Sequence, residues 1–194
     1  MTKLVHRPGS GRGDRRRREL ADAALALLVE GGWAAVTTRA VAERAGANLG
    51  LVHYHFGGLA GLRLATVRRA EEEMFSPVVD ALVSGADVVD VLRTLAGHPL
   101  DARTTRLAVE LTEGALRDPD VGRVLRDGLR RARDAYAESL RRRRPAWPAT
   151  RSEGVATLVV ALLDGLVLHR ALDEGLDVSA AAGALSELAF PEQE

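Results

Sequence analysis

The sequence predicts an all-α protein in which a small N-terminal domain of three helices precedes a larger helical C-terminal domain. Apolar residues recur at helical spacing from Leu20 onward, and the alternation typical of strands persists nowhere. Glycine pairs at 31–32 and 57–58, with prolines at 77, 99, 145 and 148, divide this pattern into segments of helical length. We expect a disordered basic arm over 1–13, the N-terminal domain over 14–57 and the C-terminal domain over 58–194.

The boundaries of the first helices follow from capping and breaking residues. Gly31-Gly32 ends a first helix that begins near Asp14, and Thr37 or Thr38 can cap a second helix of about two turns. Asn48 can cap a third. The third and fourth helices are predicted over 48–54 and 59–73.

The pattern remains helical through the rest of the chain. Asp118-Pro119-Asp120 is typical of a helix start, because proline is well tolerated at the first helical position. The remaining helices are predicted over 78–83, 88–96, 102–117, 121–143, 152–174 and 179–189.

Composition narrows the class of protein. The 194 residues contain no cysteine, which excludes disulfides and thiolate zinc sites and fits a reducing cytoplasm. No apolar run approaches the roughly 20 residues of a membrane span, and the first residues lack the apolar stretch of a signal peptide, so we expect a cytoplasmic protein. The net charge is zero, but residues 1–57 carry nine basic and five acidic side chains, which favours a polyanionic partner for the N-terminal domain.

The stretch from Thr38 to Val52 fits a helix-turn-helix. The crossing of two helices needs a small residue, which Ala42 supplies, and the turn needs a residue that tolerates a positive φ, which Gly46 supplies. The apolar positions that such a motif buries are then Val41, Ala45, Ala47 and Val52.

With its surroundings, the segment from Leu20 to Leu64 resembles the DNA-binding domain of the TetR family of transcriptional regulators. The likeness rests on Glu30-Gly31, Thr37-Thr38, Val41-Ala42, Ala45-Gly46 and the run Val52-His53-Tyr54-His55-Phe56. It implies a homodimeric repressor that binds a near-palindromic double-stranded operator and leaves it when a small-molecule effector binds the C-terminal domain. One departure follows Phe56, where residues 57–61 replace the Ser-Lys-Glu-like start that members commonly place on the fourth helix.

The resemblance also assigns side chains to the DNA. It implies that the exposed side of the third helix enters the major groove, while the last aromatic residues and the second helix contact phosphates. Leucine cannot hydrogen-bond to a base, so sequence preference should depend on His53, Asn48 and Arg39. The expected DNA contacts are Thr38, Arg39, Asn48, Leu49, Gly50, Leu51, His53, Tyr54 and His55.

Some of these residues have a second interpretation. Tyr54 could be a core residue, and the run Arg15–Arg18 is either a solvated helix start or a phosphate-contacting arm. A metal site at His53 and His55 is not expected, because histidines two apart on a helix point to different faces. We also expect no cofactor and no enzymatic activity, because no histidine has a nucleophile or carboxylate partner at a recognisable spacing.

The apolar segment 155–172 predicts a dimer interface. It is apolar on more than one side and must be buried on several sides, for which a second copy of the chain is the simplest cover. The alternative is that it packs with the following helix inside one protomer. The expected interface residues are Val155, Leu158, Val159, Leu162, Leu166, Leu185 and Leu188.

The resemblance further implies an effector pocket among the helices between about Ala81 and Tyr136. The expected pocket residues are Met74, Phe75, Leu107, Glu110, Leu111, Tyr136, Leu162 and His169. Two alternatives remain open: a DNA-binding regulator whose C-terminal domain binds a protein partner or no ligand, and an all-helical enzyme or scaffold that contains the motif by coincidence.

Overall fold

A computed structural model of the chain describes residues 11–97, 102–173 and 175–189, and within these ranges it contains ten α-helices and no strand. The helices are α1 Gly11–Ala35, α2 Thr38–Arg44, α3 Leu49–Phe56, α4 Leu59–Met74, α5 Ser76–Ser84, α6 Val88–Gly97, α7 Ala102–Arg117, α8 Pro119–Arg143, α9 Ala149–Leu172 and α10 Val178–Ala189. The all-α prediction is confirmed.

The chain forms two compact units that divide within α4, between Arg69 and Ala70. This boundary lies beyond the one that the sequence predicts after Gly57. In the first unit α1 packs on α2, and α2 packs on α3. The core of this unit consists of side chains with almost no exposed surface: Leu20, Leu25, Leu28, Val36, Val41, Val52 and Leu62.

The helix α1 is longer than predicted. It begins at Gly11, so residues 11–13 of the expected arm are helical, while residues 1–10 lie outside the described part of the chain. Gly32 breaks the helix with φ 68° and ψ −171°, a conformation that favours glycine. The chain then resumes a helical turn that ends at Ala35. The predicted end at residue 30 is therefore too early, because only one of the two glycines leaves the helical conformation.

The second unit is a bundle built around α8. This helix packs against α5, α7 and α9, while α10 packs against α6. Asp118 caps α8, since its Oδ1 accepts a hydrogen bond from the Asp120 N–H at 2.9 Å, and Pro119 takes the first helical position as predicted. The core of the unit includes Leu82, Val89, Leu92, Tyr136, Leu140, Ala156, Val159, Leu163 and Ala182.

Within the described ranges, α9 is the one helix that is long and apolar enough to cross a membrane, over Ala149–Arg170. The prediction that no segment reaches this length is therefore wrong. A single such helix is weak evidence for a membrane protein, because core helices of soluble proteins have the same composition. One side of α9 is buried in the second unit, through Ser152, Ala156, Val159, Val160 and Leu163.

Candidate nucleic-acid interface

Threonine capping fixes the start of α2. The Thr37 Oγ1 accepts a hydrogen bond from the Ala40 N–H at 3.1 Å, so Thr37 is the residue that caps the helix. Thr38 then lies in the first turn, half-buried, and Arg39 beside it is exposed. The first turn of α2 thus presents a cation on the surface of the first unit.

Gly46 makes the turn between α2 and α3. Its φ is 55°, in the left-handed region, where a residue with a side chain would be strained. The Ala47 N–H donates to the Ala42 carbonyl at 2.8 Å and closes the turn. Val41 and Val52 are buried as predicted. Ala45 and Ala47 are only half-buried, because they lie in the turn at the edge of the core.

The helix α3 has one buried and one exposed side. Asn48 caps it, since its Oδ1 accepts a hydrogen bond from the Gly50 N–H at 2.8 Å. Val52 is completely buried, whereas Leu49 is 43 % exposed and Tyr54 is 82 % exposed. Tyr54 is therefore not a core residue. Of the other expected contacts, Asn48, Gly50 and His53 are exposed, and Leu51 and His55 are half-buried.

The start of α4 is closely packed against the end of α3. Gly57 and Gly58 have φ values of 71° and 123°, and the helix begins directly after them at Leu59. A Cβ placed at Gly61 would lie 1.9 Å from the Phe56 carbonyl oxygen, so no side chain fits at that position. The glycines that replace the usual family residues at 57–61 are thus needed for this bend.

Ion pairs and a cation–π contact join α1 to the other helices of the first unit. The guanidinium of Arg44 on α2 donates to both carboxylate oxygens of Glu30, at 2.5 and 2.6 Å, and these hydrogen bonds lower the pKa of Glu30. Arg69 on α4 donates to Asp22 at 2.5 Å. At the end of α3, the Phe56 ring has the Arg17 guanidinium 5.7 Å from its centroid.

Comparison with known proteins decides the family. The family model described as "Bacterial regulatory proteins, tetR family" matches residues 20–66, and the model described as "BetI-type transcriptional repressor, C-terminal" matches residues 91–189, more than half of the chain. The chain belongs to the TetR family. The BetI-type members of this family are DNA-binding transcriptional repressors, and so is this protein. The prediction of a regulator rather than an enzyme agrees with that identity.

Individual relatives support the assignment along nearly the whole chain. The HTH-type transcriptional regulator BetI of Rhizobium meliloti is 30 % identical over 179 residues, covering 89 % of this chain and 86 % of the relative. The solved structure of the multidrug binding protein EbrR with imidazole is 28 % identical, covers 92 % and 97 % of the two chains and has a TM-score of 0.67. A regulator from Saccharomonospora viridis, solved with choline, has a TM-score of 0.65 at 21 % identity and covers 92 % and 97 %, which shows a shared fold.

The residues expected in a TetR-family effector pocket fall into distinct environments. Leu107, Leu111 and Tyr136 are buried in the second unit, and Glu110 is buried with the Arg106 Nε 3.0 Å from its carboxylate. Met74, Phe75 and Leu162 are half-buried. His169, the remaining residue expected in the pocket, is exposed on α9.

The residues expected at the dimer interface differ in how exposed they are on the protomer. Leu158 is 71 % exposed, and Val155, Leu162, Leu166 and Leu185 are half-buried. Val159, also expected at the interface, is only 8 % exposed and packs in the protomer's own core. The side chain of Leu188 lies outside the described residues.

A feature that sequence reasoning missed is the set of contacts that α1 makes with the helix-turn-helix. In the run Arg15–Arg18, Arg15 and Arg16 pair with Glu19 at 2.9 and 2.7 Å, and Arg16 also donates to the Gly46 carbonyl of the turn at 3.1 Å. The i,i+3 and i,i+4 spacing could have indicated the pairing with Glu19. In the described ranges no three His, Asp or Glu side chains are grouped as a metal site.

Proposed function

We propose that the protein is a homodimeric repressor that binds a near-palindromic operator through α2 and α3 and is released by a small molecule bound in the second unit. The DNA contacts lie within residues 14–57, and the ligand and dimer contacts lie within 58–194. The observation that carries this proposal is the exposed side of α3, where Tyr54 is 82 % exposed while Val52 on the other side is buried. Soluble regulators of this family are cytoplasmic, and we propose the same location here.

The side chains of α2 and α3 divide between phosphate and base contacts. Arg39 and Tyr54 supply a cation and a hydroxyl for phosphate oxygens, which bind any sequence. His53 and the free amide nitrogen of Asn48 supply hydrogen-bonding groups for base edges. Leu49 supplies apolar contact with thymine methyl groups. We therefore expect that His53→Ala relaxes sequence preference and leaves affinity for unrelated DNA unchanged.

Selection of bound fragments from random duplex DNA tests the DNA-binding proposal. We expect enrichment of an inverted repeat whose half-sites lie about one helical turn, or a multiple of it, apart, since a two-fold dimer presents two copies of α3. Binding should weaken steeply as salt is raised, because phosphate contacts release counterions. If no duplex is enriched at low salt, the proposal is wrong.

We propose an organic cation as the class of effector. EbrR has been solved with ethidium, at 27 % identity to this chain. In the second unit, burial raises the pKa of Asp164 on α9 to about 6, and the nearby charge of Arg133 offsets this only in part. A bound cation would stabilise the ionised carboxylate.

Two aromatic side chains of the second unit, Tyr136 and Trp147, favour a carboxylate rather than an aromatic cage as the partner of this cation. The Tyr136 ring already has the Arg143 guanidinium 6.0 Å from its centroid. The Trp147 ring has Arg144 at 6.0 Å and Arg151 at 4.4 Å. These two rings already face the protein's own cations, which favours charge pairing with Asp164.

Ethidium and choline titrations test the effector proposal. Ethidium binding is followed by fluorescence on DNA-free protein, because ethidium intercalates into duplexes, and operator release is followed with choline. We expect Asp164→Asn to weaken binding of the cation that binds wild type by about tenfold, and the exposed Asp80→Asn to leave it unchanged. Binding of neither cation, or equal binding by Asp164→Asn, would contradict the proposal.

A further inference from the structure

One arginine of α1 reaches the turn of the helix-turn-helix. The Arg16 Nη2 donates to the Gly46 carbonyl oxygen at 3.1 Å, and its Nη1 donates to the Ala45 carbonyl at 3.4 Å. The same Nη1 donates to the Glu19 carboxylate at 2.7 Å. These hydrogen bonds connect residues 29 and 30 positions apart in sequence, so they fix α1 relative to the turn.

The two carbonyls that Arg16 contacts lie where α2 ends. The last carbonyl groups of a helix have no partner inside the helix, and they carry the negative end of its dipole. A guanidinium is suited to this place, because its planar set of N–H groups can satisfy neighbouring acceptors at once. Arg16 is therefore bonded to the part of the chain that sets the direction of α3 relative to α2.

We propose that Arg16 is a positioning residue for operator recognition: without contacting DNA, its guanidinium holds the turn at Ala45-Gly46 so that α3 is presented at the angle that base contacts require. This inference rests on the proposed assignment of α3 to the major groove. It gives the arginine run of α1 a role other than phosphate binding.

Glu19 orients the guanidinium of Arg16. Its carboxylate accepts hydrogen bonds from Arg15 on one oxygen and from Arg16 on the other. Glu19 thereby holds Nη1 of Arg16 beside the Ala45 carbonyl, and Nη2 reaches the Gly46 carbonyl of the turn. Replacement of Glu19 by glutamine keeps both arginines but removes the charge that fixes them, and should reproduce part of the effect of losing Arg16.

Arg15 provides a matched control for Arg16. It lies one position earlier on α1, carries the same charge and donates to the same Glu19, but its side chain is 82 % exposed. The variants Arg15→Met and Arg16→Met therefore have equal net charge and each removes one hydrogen-bond partner of Glu19. Only Arg16→Met removes the hydrogen bonds to the turn.

The experiment compares binding to a duplex selected with the wild-type protein and to a scrambled duplex of equal length, over a range of salt concentrations. We expect Arg16→Met to weaken binding to the selected duplex about tenfold, while binding to the scrambled duplex and the salt slope stay as in Arg15→Met. Glu19→Gln should fall between wild type and Arg16→Met. Circular dichroism of each variant confirms that it is folded at the temperature of the assay.

Distinct outcomes would overturn the inference. A salt slope that falls by about 0.9 in Arg16→Met alone would show that Arg16 contacts a phosphate. Equal losses in Arg15→Met and Arg16→Met, or full recovery in Arg16→Lys, would show that charge alone matters. Equal weakening of Arg16→Met on the selected and the scrambled duplex would also show that charge alone matters. Failure to enrich any duplex with wild type would instead remove the proposed DNA-binding role on which the inference rests.

An Arg16→Met variant that does not fold would move the test to Arg16→Lys and Glu19→Gln. Both keep a cation at position 16 and disturb only its geometry. Loss of preference for the selected duplex in these two variants supports the inference, and unchanged preference in both contradicts it.

Discussion

The two units of the molecule use charged and apolar side chains in different ways. In the first unit, side chains of α1 bind α2, α3 and α4 through Arg44–Glu30, Arg17–Phe56 and Arg69–Asp22. In the second, many ion pairs lie within one helix, as Arg117–Glu113 and Arg123–Asp120 do. Large apolar side chains such as Leu158 remain exposed there. The first unit is thus complete as a single copy, whereas the second has an apolar face that a second copy would cover.

The largest expected effect comes from a charge on this apolar face. Leu158 is 71 % exposed, so Leu158→Glu should not disturb the protomer core but would place a carboxylate in the dimer interface. We expect monomers in light scattering and operator affinity lower by about a hundredfold, because the second DNA contact is no longer linked to the first.

A matched variant tests whether the effect is specific to the interface. Leu116 is 85 % exposed and lies on α7, outside the segment expected at the interface. Leu116→Glu should remain dimeric. Dimers that persist in Leu158→Glu would place the interface elsewhere and would remove the contrast between the two units.

A smaller effect is expected from the exposed cation of α2. Arg39→Ala should lower affinity for any duplex about tenfold at low salt and reduce the salt slope by about 0.9, because one phosphate contact is lost. Arg130→Ala in the second unit removes the same charge and should change neither quantity. An unchanged slope in Arg39→Ala would show that the phosphate assignment is wrong.

Local signals predicted most of the elements in both units. The α7 limits and the Asp118-Pro119 start of α8 follow from residues adjacent in sequence. The contact of Arg16 with the turn could not be predicted in this way, because it joins positions 29 and 30 residues apart and depends on how α1 packs. The extra turn of α1 was missed because glycine permits a helix end without requiring one.

At the candidate sites, too, local sequence signals predicted burial only where a helix has one clearly apolar side. Helical spacing correctly indicated that Val52 is buried, which leaves Tyr54 on the exposed side of a regular helix. Spacing failed on α9, because that helix is apolar nearly all round and gives no preferred inward side. His169 is exposed and Val159 is buried in the protomer, and only packing against α8 distinguishes these two sides.

The half-buried carboxyl of Asp164 predicts a pH dependence in the second unit. Burial raises its pKa from the ordinary 3.8 to about 6. The stability that this group contributes is fully present below pH 3.8 and is lost as the pH rises through about 6. Asp164→Asn should therefore melt at a higher temperature than wild type at pH 8, with a smaller difference at pH 5. A difference that does not change with pH would contradict this explanation.

The smallest effect is expected at the exposed pair of Glu30 and Arg44 in the first unit. Hydrogen bonds from Arg44 lower the pKa of Glu30, so the stability it contributes is present above its ordinary value of 4.5 and is lost as the pH falls below it. Chemical denaturation at pH 7 should show a slightly less stable Glu30→Gln protein, and the difference should shrink as the pH falls below 4.5. Glu43→Gln, on the exposed surface of α2, is the control.

The contact between Gly61 and the Phe56 carbonyl determines how this regulator could be modified. A lysine could be introduced at position 61 to strengthen binding to the DNA backbone. Its Cβ would lie 1.9 Å from the Phe56 carbonyl oxygen and would force α3 and α4 apart. The neighbouring Ala60 is exposed and lies in the same helical turn. An engineer who wants a tighter repressor should therefore add the positive charge at position 60 and leave the three glycines untouched.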